Sequence, residues 1–148
     1  MKKYIADVSV TENVSLVTLK QIDNSYGKLA AIFGAISEMG IIVDMISQSS
    51  PAKETVELSF IVSDADIPEL MAFFAKNKEY KASIYSGNTK ISFFGKEMEK
   101  NAGVAARVFE IFAKAECDIK MVTASTCDIS CLISPEYTDR IVELYKAE

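Results

Sequence analysis

The sequence predicts an α+β fold made of two copies of one βαββαβ unit, and three observations carry that expectation. The segment from Gly27, GKLAAIFGAISEMGIIVDMISQSS, aligns without a gap on GVAARVFEIFAKAECDIKMVTAST from Gly103, an offset of 103 − 27 = 76 residues. That offset places Leu29, Ile32, Phe33 and Ile36 on Ala105, Val108, Phe109 and Phe112, one helix face in each copy. Leu19 and Gly95 each precede their glycine by eight residues, so the loops entering the two helices have equal length. A repeat of this length implies two copies of one supersecondary unit sharing a core, with a seam between them as a natural ligand position.

The elements follow in order. Val14 to Leu19 (VSLVTL) alternates as a half-buried strand, with Val17 and Leu19 on one face, and the polar KQIDNSYG reads as a turn. The helix from Gly27 stops at Gly40. IIVDMIS is a second strand and TVELSFIVS a third, with Pro51 and its polar neighbours turning the chain between them. Asp64 or Asp66 is expected to cap the next helix, which has Pro68 in its first turn and Leu70, Met71, Phe73 and Phe74 as core residues. KASIYSG closes the unit as a fourth strand. This order is the split βαβ or ferredoxin-like arrangement.

The second copy opens with KISFFG, passes a solvated loop KEMEK at 96–100 and the helix from Gly103, then gives strands DIKMVTAS and CDISCLIS. By then Val56 matches Cys127, 127 − 56 = 71, so this copy has lost five residues from the hairpin between its middle strands. A last helix follows Pro135, with Ile141, Val142, Leu144 and Tyr145 apolar, and no fourth strand follows it. A spare strand, YIADVSV at 4–10, precedes the first copy. It is expected to complete the second unit and cover its open edge, giving a first unit of 11–88 and an interlocked second unit of 89–148 plus 4–10.

Composition narrows the function. Sixteen Lys and Arg against 21 Asp and Glu leave a net charge of −5, which argues against nucleic acid as a partner. No apolar run approaches the roughly 18 residues of a membrane span. The start, MKKYIADVSV, lacks an apolar signal-peptide block, so a cytoplasmic protein is expected. Three cysteines and no histidine point to reduced thiols packed as small hydrophobes, with no metal site. The absence of histidine removes imidazole acid–base chemistry, and neither phosphate-binding glycine motif occurs. The expectation is a protein without catalytic residues or cofactor.

The two glycine segments resemble the paired ACT units in the regulatory region of aspartate kinases. There a loop ending in Pro-Gly leads into an Ala-rich helix and a strand reading roughly Ile-Asn-Ile-(Asp/Glu)-Met-Ile. VDMISQ corresponds to the first unit and IKMVTASTCDISCLI to the second, and the likeness covers about residues 4–146. The kinase catalytic domain is absent from this sequence. The resemblance therefore implies a regulatory module that binds a free amino acid of the lysine, threonine or methionine class as a feedback effector. It further implies a homodimer with ligands at the seams, and a kinase catalytic chain as a further partner. Two alternatives stand beside a free-standing sensor: a regulatory subunit or fragment of an aspartate kinase, and a structural dimerisation module with a decayed ligand site.

An amino acid presents a carboxylate, which suits the free N–H groups and positive dipole end of a helix N-terminus, and an ammonium, which suits carbonyl or carboxylate oxygens. The loop residues Asn24, Ser25, Tyr26, Gly27, Lys28 and Leu29 stand at that place in the first copy, and Asn101, Ala102, Gly103 and Val104 in the second. By the resemblance, Asn24 falls at an acidic ligand contact and Gln48 reaches the effector. Asp118 and Ile119 occupy the strand position facing across the seam, followed on that strand by Met121. Thr123, Ser125 and Thr126 give a hydroxyl-rich strand end. Tyr26 and Ala102 replace the family's proline, which places Tyr26 to close over a ligand. Ile42 replaces an Asn and Asp118 adds a charge, so one good site and one degraded site are expected.

Overall fold

The computed structural model describes residues 3–148. Its strands are β1 (Asp7–Asp23), β2 (Asp44–Gln48), β3 (Thr55–Ser63), β4 (Lys81–Phe94), β5 (Met121–Ala124) and β6 (Asp128–Ile133). Its helices are α1 (Lys28–Glu38), α2 (Ile67–Lys76), α3 (Val104–Lys114) and α4 (Thr138–Lys146), with short 3-10 turns at Asp64–Asp66, Lys96–Lys100 and Pro135–Tyr137. The chain divides into two compact units, Asn13–Ser86 and a second that combines the chain up to Glu12 with Gly87–Glu148. Strand order is β2-β3-β1-β4 in the first and β1-β4-β6-β5 in the second, each with antiparallel pairs.

Two strand boundaries differ from the sequence expectation. Asp7–Val10 of YIADVSV and all of VSLVTL belong to one strand, β1, which also takes in KQID, while Tyr4–Ala6 lie before it; Ile22 within β1 is buried. KASIYSG and KISFFG likewise form the single strand β4. Each long strand changes unit at a left-handed residue, Asn13 (φ 58°) in β1 and Gly87 (φ 75°) in β4. Both strands continue through these residues, so polar composition there does not mark a loop.

Other differences are local. Ile41–Val43 lie outside β2, which starts where Asp44 Oδ1 accepts a hydrogen bond from the Met45 N–H at 2.8 Å. Neither aspartate caps the α2 region with its side chain. Ser63 Oγ accepts from Ala65 N–H at 3.3 Å, while Asp64 takes the Ser15 hydroxyl at 2.5 Å. KEMEK is a 3-10 turn that buries Met98 in the core, not a solvated loop. The helices also do not bury every large apolar residue. Met71 is 56% exposed, because Leu70 and Phe74 take the inward face and Met71 lies one step round the helix. Leu29 and Phe109 are exposed as well.

Unit Asn13–Ser86 packs α1 and α2 on the sheet through Ile32, Ile36 and Leu70 against Val17, Leu19, Leu58 and Phe60, with Phe33 edge-on to Phe60 at 5.6 Å. The pairing Val17↔Phe60 and Leu19↔Leu58 keeps these side chains on one face. The second unit repeats the scheme with Ile91, Phe93 and Ile133 against Val108, Ile111, Phe112 and Ile141. Cys117 and Cys131 are buried in that core, and Cys127 is half-buried.

The residues before β1 are built into the second unit. Ile5 is buried in its core, Ala6 N–H donates to Phe94 O at 2.8 Å, and Tyr145 Oη donates to Ile5 O at 3.5 Å. Gly95 lies so close beneath that a Cβ there would stand 1.9 Å from Tyr4 O. Gly95→Ala therefore has to displace backbone. It is expected to lower unfolding free energy by about 1–3 kcal/mol. Gly34→Ala, in open space on α1, is expected to raise it by about 0.5–1 kcal/mol. Denaturant titration of the two variants checks the pair.

Burial, with smaller contributions from Cys117 and Asp128, pushes the Cys131 thiol up from an ordinary 9.0 to about 12. Burial also raises Cys117 and Tyr145. With the folded value above the unfolded one, the unfolded chain binds fewer protons between the two. Stability is therefore full below about pH 9 and falls as pH rises toward 12. The rise from 9.0 to about 12 corresponds to at most about 4 kcal/mol. Denaturant midpoints at pH 8 and pH 10.5 are expected to differ less in Cys131→Ala than in the parent chain.

Candidate functional site

β1 ends at Asp23, and the chain turns through Asn24–Gly27 into α1. Backbone bonds fix this loop: Asn24 N–H donates to Glu54 O at 2.9 Å, and Lys28 N–H to Ser25 O at 3.1 Å. The first of these ties the loop to the β2–β3 hairpin, whose tip pairs Ala52 with Thr55 and holds Lys53 and Glu54 left-handed at φ 51° and 65°.

The helix that follows carries no acidic residue at its N-terminal end. Gly27 occupies its N-cap position, no side chain caps it, and its first turn holds no acidic residue. α3 behind Gly103 is the same, whereas α2 and α4 carry Glu69 and Asp139 in their first turns. The Ala31 N–H bond to Gly27 O, 3.1 Å long, is the first of α1. The Leu29 and Ala30 N–H groups thus have no intrahelical acceptor, and the positive dipole end is unopposed.

Two cavities adjoin this loop, both lined wholly by residues of unit Asn13–Ser86. The smaller, about 280 Å³, has Asn24, Ser25, Tyr26, Leu29 and Gln48 in its wall together with Asp23 and Val56. The larger, about 600 Å³, shares Asp23, Asn24 and Ser25 and continues to Pro51 and Glu54. The structure thus brings together five of the residues singled out in the first copy. Tyr26 is fully exposed at the rim. Lys28 turns away, its Nζ lying 5.2 Å from the centre of the Tyr80 ring. Sequence reasoning missed Asp23, Val56, Pro51 and Glu54 as lining residues. Asp23 is adjacent to Asn24, but Glu54 reaches the loop only through the hairpin.

The second-copy residues are placed differently. Asn101 Nδ2 donates to Glu97 O at 2.6 Å, closing the 3-10 turn. Ala102 is exposed, while Val104 is packed in the core. Asp118 and Ile119 lie before β5 and not on a strand; Asp118 is exposed and Ile119 packs against the core. Met121 and Thr123 are half-buried on β5. Ser125 N–H donates to Asp128 O at 2.8 Å, and Ser125 Oγ accepts from Cys127 N–H at 3.3 Å, with Thr126 exposed between them. These polar groups close turns. The two glycines also differ: Gly103 is left-handed (φ 89°) and Gly27 is not (φ −101°), and a Cβ at either meets nothing within 4 Å.

Among the described residues no group of three His, Cys, Asp or Glu gathers at metal-binding distance. No described helix is long and apolar enough to cross a membrane.

Residues 91–147 match the family model of the ACT domain. Over 144 residues the chain is 34% identical to an aspartokinase of Geobacillus stearothermophilus, an alignment covering 97% of this chain and 35% of that protein. The chain thus spans about a third of the length of the curated relatives it matches. Among solved structures, the regulatory subunit of aspartate kinase from Thermus thermophilus matches with a TM-score of 0.84 at 24% identity, covering 97% of this chain and 98% of that one. E. coli aspartokinase III in complex with lysine and aspartate matches with a TM-score of 0.74 at 20% identity, covering 97% of this chain and 33% of that one. Over nearly its whole length the chain is thus similar to part of the aspartokinases, and residues 91–147 are similar to the ACT domain.

Proposed function

We propose that the chain is a non-catalytic cytoplasmic sensor of a free amino acid, of the lysine, threonine or methionine class, and that the first glycine loop is its binding site. One observation carries this reading: Asn24, Ser25, Tyr26, Leu29 and Gln48 meet around a cavity of about 280 Å³ at the N-terminus of a helix with no acidic residue in its first turn. The ligand carboxylate takes the Leu29 and Ala30 N–H groups. Its ammonium takes the side-chain carbonyl oxygens of Asn24 and Gln48. Leu29 and Val56 give an apolar wall, and Tyr26 covers the opening. Bound ligand joins the β1–α1 loop to the end of β2, so it favours the arrangement in which those elements lie together and shifts the population toward it. The proposed signal passes through a homodimer to a kinase catalytic chain.

A thermal-shift series with the twenty amino acids tests the reading. The effector at a hundred times its dissociation constant adds about 2.7 kcal/mol, a shift of several degrees. A dimerisation module with a decayed site is the competing reading, favoured by Ile42 and Ile46, which are exposed at 84% and 53% on and beside β2. It predicts no shift with any amino acid at millimolar concentration. Ligand-dependent inhibition on adding a kinase catalytic chain separates a regulatory subunit from a free-standing sensor.

The two glycines give a second test. Gly27→Ala is neither strained nor crowded, so its stability is expected within about 0.5 kcal/mol of the parent chain, while the added methyl at the helix N-terminus weakens ligand binding. Gly103→Ala sits at φ 89° and is expected to cost about 1 kcal/mol or more. Its effect falls on stability and leaves binding at the first loop intact. Denaturant titration and calorimetry on both variants read the two effects separately.

A further inference from the structure

β1 reaches the candidate site through a bulge. Leu19 pairs with Leu58 and Ile22 with Val56, so three steps along β1 are set against two along β3. Lys20 and Gln21 together oppose Glu57, whose backbone is engaged on its other side. Its N–H donates to Ser49 Oγ at 2.8 Å, and its carbonyl accepts from Ser49 N–H at 2.9 Å. Gln21 takes left-handed backbone (φ 54°), which a residue with a Cβ adopts only at a cost. It is exposed, so burial of its own side chain does not offset that cost. The side chain is held from β4 instead, where Lys81 Nζ donates to Gln21 Oε1.

The bulge shifts the frame of every side chain after it. Val17 and Leu19 face the core, so unbroken alternation would send Gln21 and Asp23 there and turn Ile22 out. Ile22 is instead buried, and Asp23 stands in the wall of both cavities with Asn24 and Ser25. From this geometry we infer that Gln21 is a positioning residue for the amino-acid site. Its left-handed backbone holds the frame in which β1 delivers Asp23, Asn24 and Ser25 to the cavity wall. The inference rests on reading this cavity as the amino-acid site. Gln21 lines neither of the two cavities there, so it acts only through the chain that follows it. Bulges beside binding sites re-aim side chains in this way, and burial of Ile22 and Val56 sustains the strain.

Melting temperature, with isothermal titration of the full chain by L-lysine, L-threonine and L-methionine, separates aim from stability. Gln21→Gly removes the strain and keeps the bulge. It is expected to melt about 1–3 °C higher and to bind within about twofold of the parent chain. Gln21→Val puts a β-branched side chain where it is least tolerated, so the chain abandons the left-handed residue. It is expected to melt lower and to bind at least about tenfold more weakly. Gln21→Thr gives the same reading should the valine chain fail to fold. Leu70→Ala, in the same core but on α2, is expected to melt lower by at least as much and to bind within about twofold. Exchange of the Asn24 N–H, bonded to Glu54 O, is expected to quicken in Gln21→Val and not in Gln21→Gly. Parent-like binding by a Gln21→Val chain of lowered melting temperature would overturn the inference, since Gln21 would then serve stability alone. So would a tenfold loss in Gln21→Gly, which would give the role to the side chain bonded to Lys81. A parent chain that binds none of the three amino acids would overturn the site reading itself, and this inference with it.

Discussion

β1 and β4 each have to serve two cores. The Ala6–Phe94 backbone bond and the buried Ile5 fasten one end of the chain to the unit that holds residues 87–148, yet Val17 and Leu19 of the same β1 pack in the other unit. β4 divides in the same way at Gly87. The unit Asn13–Ser86 is a contiguous stretch of sequence, but the other is not: it joins the chain up to Glu12 to Gly87–Glu148. Asn13 and Gly87, where the strands pass from one unit to the other, are left-handed, and neither strand is interrupted there. Gly95 has a related duty. It stays without a side chain because the backbone at Tyr4 passes directly over it.

The same strand economy fixes the candidate site. β1 runs on to Asp23 in register with Thr55, so the end of β1 and the tip of the β2–β3 hairpin arrive side by side. Ile22 and Val56, paired and buried, anchor that register from the core side. The polar wall of Asp23, Asn24 and Glu54 is thus a consequence of core packing two residues away. Hydrophobic burial of this kind sets strand register firmly, since a one-residue slip would turn Ile22 and Val56 out to solvent.

The helices and their inward faces were legible in the sequence because a 3.6-residue apolar period survives any strand pairing: Ile32, Ile36, Val108 and Phe112 are all buried. The long strands were not, since Asn13 and the SGNT stretch look like turns when composition alone is considered. At the site, Asn24, Ser25, Tyr26, Leu29 and Gln48 could be named from the loop and the family pattern. Glu54 had no such signal. It adjoins Asn24 only because a two-residue turn at Lys53–Glu54 adopts left-handed backbone without the glycine or asparagine that usually advertises it. The equivalence of Gly27 and Gly103 was misleading for a similar reason, since identical letters at matched positions hold opposite signs of φ.

The two copies therefore diverge through one hairpin more than through their loops. Between β2 and β3 the chain spends residues 49–54, enough to carry Pro51 and Glu54 out to the wall of a cavity. Between β5 and β6 it spends only 125–127, and Ser125 and Asp128 are drawn into bonding each other and Cys127. Asn101, at the matching loop, is likewise used to close the 3-10 turn from Glu97. Polar groups that satisfy one another are poor ligands for anything else, because each new contact has to replace an existing one. In the first copy the longer hairpin leaves Asp23 and Glu54 without such partners. The extra residues between the middle strands are thus what makes the first glycine loop a place where a small charged molecule gains contacts instead of exchanging them.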